Sequence, residues 1–291
     1  MIDKNKFEFF ILKFLQKFFM LIGLNAGRRI AVVLAYFLYY VVRLRKDIVE
    51  KNLRLAFPEL NEKEINKLVF ENLRSSLITF IEVLTLPKFD KEGFKKLFLP
   101  SDIKEFLADY TKESGVILLT GHFGNWEYAA VWVGLSLNIQ LSVLVKPMRN
   151  PYATELLRKN RTKFGNIEIP VGLSVKELLK KIYLKEAVGI VADQRGKKEG
   201  IRVKFFGRET AVYTGSALMA IKTKVPALFI ITVRDKDYRY KTIYEEIKYD
   251  DLEGTTDEKV AALTQRYFNV LEKHIRQYPE QWFWMHNIWK Y

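Results

Sequence analysis

A histidine and a glutamate stand five residues apart in the segment 118–130, which reads LLTGHFGNWEYAA. His122 follows an apolar segment, 115–120, with the composition of a short buried strand, and Glu127 comes just after Asn125, a typical residue for a helix N-terminus. Histidine is the usual base near neutral pH, and a carboxylate bonded to its other ring nitrogen fixes the tautomer and raises the basicity. The spacing therefore predicts His122 as a general base assisted by Glu127, acting on a hydroxyl.

The chain lacks the usual protein nucleophiles. It contains no cysteine and no G-x-S-x-G sequence, which excludes a thiolate nucleophile and a serine elbow. H-x-x-x-x-E does not place its two side chains on one helical face, as the zinc motif H-E-x-x-H does, and no third ligand is evident, so we predict no metal and no cofactor. The proton that His122 removes is then expected to come from a substrate alcohol, in a direct transfer without a covalent enzyme intermediate.

The elements that must position these residues alternate between strand and helix. Strands are predicted at 115–120, 140–146, 166–170, 187–192, 201–206, 226–234 and 239–248. Helices are predicted at about 125–137, 151–164, 173–185, 214–223 and 257–277. This alternation predicts an α/β fold with a mainly parallel central sheet flanked by helices.

Polar residues follow three of the predicted strands. His122 follows the first, the basic segment 146–150 follows the second, and Asp193 and Gln194 follow the strand at 187–192. In a parallel sheet the carboxyl ends of the strands meet at one edge, and functional groups gather there. The sequence therefore predicts a site at that edge.

Basic residues are in excess, with 48 Lys and Arg against 34 Asp and Glu, a net charge of +14. This balance favours an anionic partner, either nucleic acid, a membrane surface or an acidic substrate; a solvated basic surface is the alternative. Arg158 and Arg161 are three apart on one predicted helical face and, with Arg149, are candidates to bind phosphate or an acidic carrier. The chain contains no known nucleic-acid module, so no nucleic-acid partner is predicted.

The N-terminus is strongly apolar. Residues 7–24 are rich in Phe and Leu but are interrupted by lysines, and the uncharged run 30–42 has 13 residues where a spanning helix needs about 20. With arginines 28 and 29 before the second run, the pattern predicts two helices that lie in the cytoplasmic leaflet. A span by residues 7–24, or two buried core helices, are the alternatives.

Five blocks in order resemble the bacterial lipid A biosynthesis lauroyl/myristoyl acyltransferases over nearly the whole chain. These blocks are NLRLAFPEL at 52–60, GHFGNWE at 121–127, RNPYATELLRKNR at 149–161, ADQRGKKEGIRVKFFGRETAVYTGSALMA at 192–220 and PEQWFWMHNIWK at 279–290. That family shares an H-x-x-x-x-D/E motif with glycerol-phosphate and mycobacterial mannoside acyltransferases. The tail departs from the family at Asn287, where an arginine is usual, so no role is predicted there.

The resemblance implies a glycerol-phosphate acyltransferase-like fold, with membrane-associated helices over 1–46 and a catalytic domain over 47–291. It implies an acyl carrier protein or acyl-CoA as donor, a lipid A precursor or related glycolipid as acceptor, and a location at the cytoplasmic face of the inner membrane. His122 becomes the base and Glu127 its partner. The remaining matched residues receive substrate roles, the first three at phosphate or carrier and the last two in positioning: Arg149, Arg158, Arg161, Asp193 and Gln194.

Two other readings stay open. A lysophospholipid or phosphoinositide-mannoside-type acyltransferase would use the same chemistry on another acceptor. A non-enzymatic protein would bind membranes or nucleic acid through its basic and aromatic surface, and that binding would not depend on His122 or Glu127.

Overall fold

The computed structural model of the protein describes residues 3–171 and 174–290. Its α-helices are α1 Lys4–Ile22, α2 Leu24–Phe37, α3 Lys46–Ala56, α4 Glu62–Thr85, α5 Lys91–Lys95, α6 Ile103–Glu113, α7 Trp126–Leu137, α8 Pro151–Thr162, α9 Ser174–Tyr183, α10 Gly215–Thr223 and α11 Thr256–Gln277. Its strands are β1 Val116–Thr120, β2 Ser142–Val145, β3 Ile167–Pro170, β4 Ala187–Val191, β5 Arg202–Phe205, β6 Arg208–Ala211, β7 Ala227–Arg234 and β8 Tyr240–Glu246. Short π- and 3₁₀-helical turns cover Leu38–Val42, Leu86–Lys88 and Pro279–Gln281.

The central sheet has the strand order β3-β2-β4-β1-β7-β8. Its strands run parallel except for β8, which pairs antiparallel with β7. This confirms the predicted α/β class and its mainly parallel sheet. Strand β6 was not predicted, because its sequence RETA is polar; it forms a two-stranded hairpin with β5. Residue 173, where the helix before β4 was predicted to begin, lies outside the described residues.

Helices cover both faces of the sheet. On one face, Leu118 of β1 packs in a cluster with Val133 of α7 and with α6. On the other face, Leu119 shares a cluster with Leu178 of α9 and Leu271 of α11. Because β1 is apolar up to its last residue, β4 is apolar throughout, and both lie inside the sheet, the polar residues that follow them emerge at the carboxyl edge.

The two N-terminal helices pack on α4. Phe19 and Ala31 join Ile78 and Ile81 in one buried cluster, and Gly27 allows close approach because a Cβ there would lie 2.8 Å from Ile81. Within the described part of the chain, every helix is either too short or too polar to traverse a lipid bilayer.

Candidate active site

The turn after β1 brings His122 to the carboxyl edge of the sheet. Its two glycines allow close packing: a Cβ on Gly121 would lie 2.9 Å from the Asp193 carboxylate, and one on Gly124 would lie 2.0 Å from the Thr232 carbonyl oxygen. Gly124 also has a φ of +55°, in the left-handed region that favours glycine. The glycines that flank His122 are therefore required by the geometry of this turn.

His122 is paired with Asp193, which follows β4. Strands β1 and β4 are neighbours, with Thr120 opposite Val191, so the residues beyond them are close. His122 Nδ1 lies 2.7 Å from Asp193 Oδ1, and the His122 backbone N–H donates to Oδ2 at 2.6 Å. The Trp282 indole N–H donates to Oδ2 at 2.8 Å. With the Nδ1 proton on the side of the carboxylate, Nε2 carries the lone pair of the neutral ring.

The pairing raises the pKa of His122. Burial lowers this pKa, but the charge of Asp193, the hydrogen bond to Asp193 and the charge of Glu127 together outweigh burial. Burial raises the pKa of the Asp193 carboxyl, while the charge of His122 and the hydrogen bonds from His122 and Trp282 bring it below its ordinary value. Asp193 is therefore an anion that increases the basicity of the imidazole, as a general base for a hydroxyl requires.

A mostly apolar cavity of about 510 Å³ opens beside His122. Its apolar lining includes residues of the strands and of α7, for example Leu118, Val143, Ile230 and Val133. The charged and amide side chains that line it are His122, Glu127, Lys146, Arg161 and Gln194. Such a cavity suits a long hydrocarbon whose reactive end lies at the histidine.

The carboxylate of Glu127 is bound by Arg161, whereas His122 takes Asp193 as its carboxylate partner. Arg161 donates from Nε and Nη2 to the two Glu127 oxygens at 2.5 and 2.6 Å, and from Nη1 to Glu168 at 2.8 Å. The carboxylate that contacts the imidazole in the structure is Asp193, because β4 runs beside β1 although it is distant in sequence; the predicted assistance of Glu127 to His122 stays a prediction. Glu127 still acts on the imidazole through its charge, which raises the pKa of His122.

The sequence profile of the bacterial lipid A biosynthesis acyltransferases matches residues 5–291. The chain belongs to this family. It is therefore an acyltransferase, and membership of the family implies an acyl donor and a glycolipid acceptor.

Several named relatives are similar to this acyltransferase over most of their length. The lipid A biosynthesis palmitoleoyltransferase of Escherichia coli (strain K12) is 26% identical over 274 residues, which cover 91% of this chain and 83% of the relative. The lipid A biosynthesis acyltransferase of Haemophilus influenzae is 26% identical over 251 residues, 84% of this chain and 78% of the relative. The phosphatidylinositol mannoside acyltransferase of Mycolicibacterium smegmatis is 21% identical over 225 residues, 75% of this chain and 72% of the relative.

Two residues that were predicted to bind substrate line the cavity of the acyltransferase, Arg161 and Gln194. A third, Asp193, is buried at 2% exposure, and its carboxylate contacts the ring of His122. Asp193 therefore lies next to the proposed base, on the Nδ1 side of the His122 ring. Among the described residues, no group of three or more His, Cys, Asp or Glu side chains is arranged to hold a metal ion.

The two other predicted arginines of the acyltransferase lie on its surface. The side chain of Arg149 is 78% exposed, and its Nη2 lies 3.5 Å from Glu8 of α1. Arg158 donates two hydrogen bonds of 2.7 Å to Glu155, on its own helix. Arg158 and Arg161 therefore face different partners, although both are carried by α8.

Aromatic residues complete the surroundings of the histidine, and the sequence patterns predicted a role for none of them. Trp126 packs edge-on against the His122 ring at 4.9 Å between centroids. The backbone N–H of Phe283 donates to the His122 carbonyl at 2.9 Å, next to Trp282, which donates to Asp193. These residues could have been found from the sequence because they lie inside two of the segments that resemble the family, 121–127 and 279–290.

Another buried carboxylate, that of Glu82 in α4, contacts the turn of His122 from a different side. Its Oε2 accepts a hydrogen bond from Asn125 Nδ2 at 3.1 Å, and Asn125 in turn caps α7 by accepting from the N–H of Tyr128. Arg28 of α2 donates to Glu82 Oε1 at 2.8 and 2.6 Å, and Arg234 donates to Oε2 at 3.0 Å. Glu82 therefore connects the N-terminal helices to the turn that carries His122.

Proposed function

We propose that this enzyme moves a fatty acyl group from an acyl thioester to a hydroxyl of a lipid A precursor or a related glycolipid. The reaction takes place at the cytoplasmic face of the cell inner membrane. The observation that carries the proposal is a histidine, polarised by a buried aspartate, on the wall of an apolar cavity. Family membership supports acyl transfer to a glycolipid, and the geometry supports the roles of the residues.

In the proposed reaction, His122 acts as the general base. Nε2 takes the proton of the acceptor hydroxyl while the oxygen attacks the thioester carbonyl carbon. The C–S bond then breaks, the new ester is released, and His122 returns the proton to the departing thiolate. Asp193 holds the ring through Nδ1 and stabilises the imidazolium that forms between the two proton transfers.

Arg161 is proposed to position an anionic group of the substrate. Its hydrogen bonds to Glu127 and Glu168 use three of the five N–H groups of a guanidinium, so donors remain for a phosphate on the acceptor or the carrier. Arg161 also lines the cavity together with His122. Glu127 then has two roles, since it fixes Arg161 and adds negative charge near the base.

An acyl carrier protein is the proposed donor, with acyl-CoA as the alternative thioester. Acyl carrier proteins are acidic, and the net charge of +14 favours their encounter with this enzyme. Lys146 lines the cavity, and Arg149, three residues further along the chain, has a side chain that is 78% exposed. Lys146 therefore places positive charge at the cavity in which the thioester is proposed to bind.

The proposed membrane contact is the outer face of α1 and α2. This face exposes large apolar side chains, among them Phe14 at 67%, Leu21 at 82% and Val33 at 69%. Exposed lysines 13 and 17 lie on the same helix α1. An apolar helix face with cations is typical of helices in the interface of an anionic membrane. Because α1 hydrogen-bonds to Asn150 at the start of α8, this contact brings the cavity close to the lipid.

The experiment that tests the proposal replaces His122 by alanine and by glutamine in the full chain. We expect transfer from acyl carrier protein to a lipid A precursor to fall by about 10²- to 10⁴-fold or more, because the general base is lost. We expect the melting temperature and the co-sedimentation with anionic vesicles to stay as in the unmodified enzyme. Normal activity of His122→Ala would contradict the proposal.

The matched control is His274→Gln. His274 is buried in α11 and lies 2.9 Å from Glu245, outside the cavity, so its replacement should leave the rate per folded molecule near normal. Parallel assays with phosphatidylinositol mannoside and lysophosphatidic acid test the acceptor. Transfer to lysophosphatidic acid alone would reject the glycolipid, and an unmodified enzyme that stays in the supernatant would reject the membrane contact.

A further inference from the structure

The floor of the cavity lies at one level of the central sheet. Three neighbouring strands each contribute one residue to this floor, Val143, Gly189 and Leu118, and these residues lie opposite one another in the sheet. Two residues further from the carboxyl edge, on the same face, β1 and β4 carry side chains of the buried apolar core, Val116 and Ala187. The level of the floor therefore fixes the depth of the cavity.

The same level is where two strands of the sheet separate. Strands β2 and β4 are paired only at Ser142 with Val188 and at Val143 with Gly189. Beyond this point the residues of both strands line the cavity, including Leu144 and Ile190, which belong to the other face of the sheet. The cavity therefore enters the gap between β2 and β4 and ends at their last pair.

Gly189 is the residue of the floor that has no side chain. It lies directly opposite Leu118 on one side and Val143 on the other, so a Cβ at this position points to the face that the cavity occupies. That Cβ would lie 3.3 Å from Val143 Cγ1 and 3.7 Å from Leu141 Cδ2, both of which line the cavity. Its φ lies outside the left-handed region, so the backbone does not require glycine.

Glycine weakens the interior of a strand, and here it supplies space at the bottom of the cavity. We infer that Gly189 determines the longest acyl chain that the enzyme accepts, an inference that rests on the proposed acyl transfer at His122. The thioester carbonyl lies at His122, and the chain extends down the cavity until its terminal methyl group meets the floor. A side chain at 189 shortens this path, so the favoured substrate becomes a shorter saturated acyl group.

The experiment uses Gly189→Ala and Gly189→Val in the full chain. Each variant receives an equimolar mixture of straight-chain acyl donors that differ by two carbons, and mass spectrometry measures the acyl groups on the glycolipid product. We expect the ratio of longer to shorter acyl product to fall by about 10- to 200-fold for each methylene group that no longer fits in the cavity, as in other hydrophobic pockets. The rate with the favoured shorter donor should be retained.

The matched control is Gly207→Ala, which adds the same methyl group to a glycine in the turn between β5 and β6, outside the cavity lining. A Cβ there meets nothing within 4 Å, so the product ratio should stay as in the unmodified enzyme. The second test is Val143→Ala, which removes volume from the floor beside Gly189 and should shift the product towards longer chains. This variant keeps the inference testable if Gly189→Val does not fold.

A folded Gly189→Ala enzyme with an unchanged product ratio would overturn the inference. An equal loss of all chain lengths, or an unchanged ratio in Val143→Ala, would overturn it as well. These outcomes leave the proposed function standing, because they still require acyl transfer. An unmodified enzyme that transfers none of the donors would instead reject the proposed function.

Discussion

Glu82 and Asp193 are both buried carboxylates, with side chains 0% and 2% exposed, but their partners differ in kind. Glu82 is held by Arg28 and Arg234, whose guanidinium groups keep their proton at every physiological pH. Asp193 is held by His122, whose ring changes its charge near neutral pH. One carboxylate therefore belongs to a fixed network of charges, and the other belongs to a group that can exchange a proton.

The two sites also differ in their access to substrate. Burial raises the pKa of Glu82, yet the charges of Arg234 and Arg28 and the hydrogen bond from Tyr240 bring it below its ordinary value, so Glu82 stays ionised in the core. Asp193 is ionised for a similar reason, but its partner His122 lines the cavity. A buried carboxylate indicates a catalytic role when its partner changes its protonation state near neutral pH and lines a cavity. It indicates a structural role when its partners keep their charge and do not line a cavity.

The largest effect is expected from Asp193→Asn. The amide keeps the shape of the side chain but removes the charge that stabilises the imidazolium, and it favours the wrong tautomer of His122. We expect kcat/KM to fall by about 10²- to 10⁴-fold, measured by acyl transfer with saturating donor. The melting temperature, measured on the same preparation, should change far less than the activity.

Asp251→Asn serves as the control for this prediction. Asp251 forms an exposed ion pair with Arg266, and such pairs contribute about 0–1 kcal/mol to stability. Its loss should leave kcat/KM unchanged. Normal kcat/KM in Asp193→Asn would show that Asp193 has no part in the reaction. The proposed difference between a catalytic Asp193 and a structural Glu82 would then be rejected.

The second effect, on stability, is expected from Glu82→Gln. The change leaves Arg28 and Arg234 buried without their anion, which we expect to lower the free energy of unfolding by about 3–5 kcal/mol near pH 7. Because the pKa of Glu82 is lowered on folding, its contribution is present above its ordinary pKa and is lost as the pH falls through the folded value. The difference between variant and unmodified enzyme, measured by denaturant unfolding, should therefore shrink in acid.

Activity separates this variant from Asp193→Asn. Below its unfolding transition, the Glu82→Gln enzyme should lose less kcat/KM than the Asp193→Asn enzyme, because Glu82 acts on the turn only through Asn125. If Glu82→Gln remains fully stable but loses as much activity as Asp193→Asn, the assignment of a structural role to Glu82 and a catalytic role to Asp193 is wrong.

Local sequence patterns predicted much of this arrangement. The alternation of elements predicted the parallel sheet, and the strand ends predicted His122 and Asp193 at one edge. The pattern could not identify the carboxylate that meets the imidazole, because strand order is set by long-range packing: β4 lies beside β1 although two strands separate them in the sequence. Similarly, Arg28 was expected at a membrane surface, but it is 5% exposed and bound to Glu82, a residue 54 positions away.

The smallest effect is expected from Glu127→Gln, and it concerns the pH profile. Only the neutral imidazole accepts a proton, so kcat/KM should rise with pH. The midpoint of this rise should lie above 6.5, the ordinary pKa of histidine. The linkage to stability has the opposite sign, since the protonated pair stabilises the fold below pH 6.5 and this contribution is lost as the pH rises through the folded pKa.

Removing the charge of Glu127 should move this midpoint to lower pH, because that charge favours the protonated ring. The shift should be smaller than the one in Asp193→Asn, since the Asp193 charge and hydrogen bond both raise the pKa of His122 more strongly. The measurement is kcat/KM against pH at constant ionic strength, with the same donor and acceptor for each variant. A larger shift in Glu127→Gln than in Asp193→Asn would make Glu127 the main partner of the base, as the spacing in the sequence first predicted.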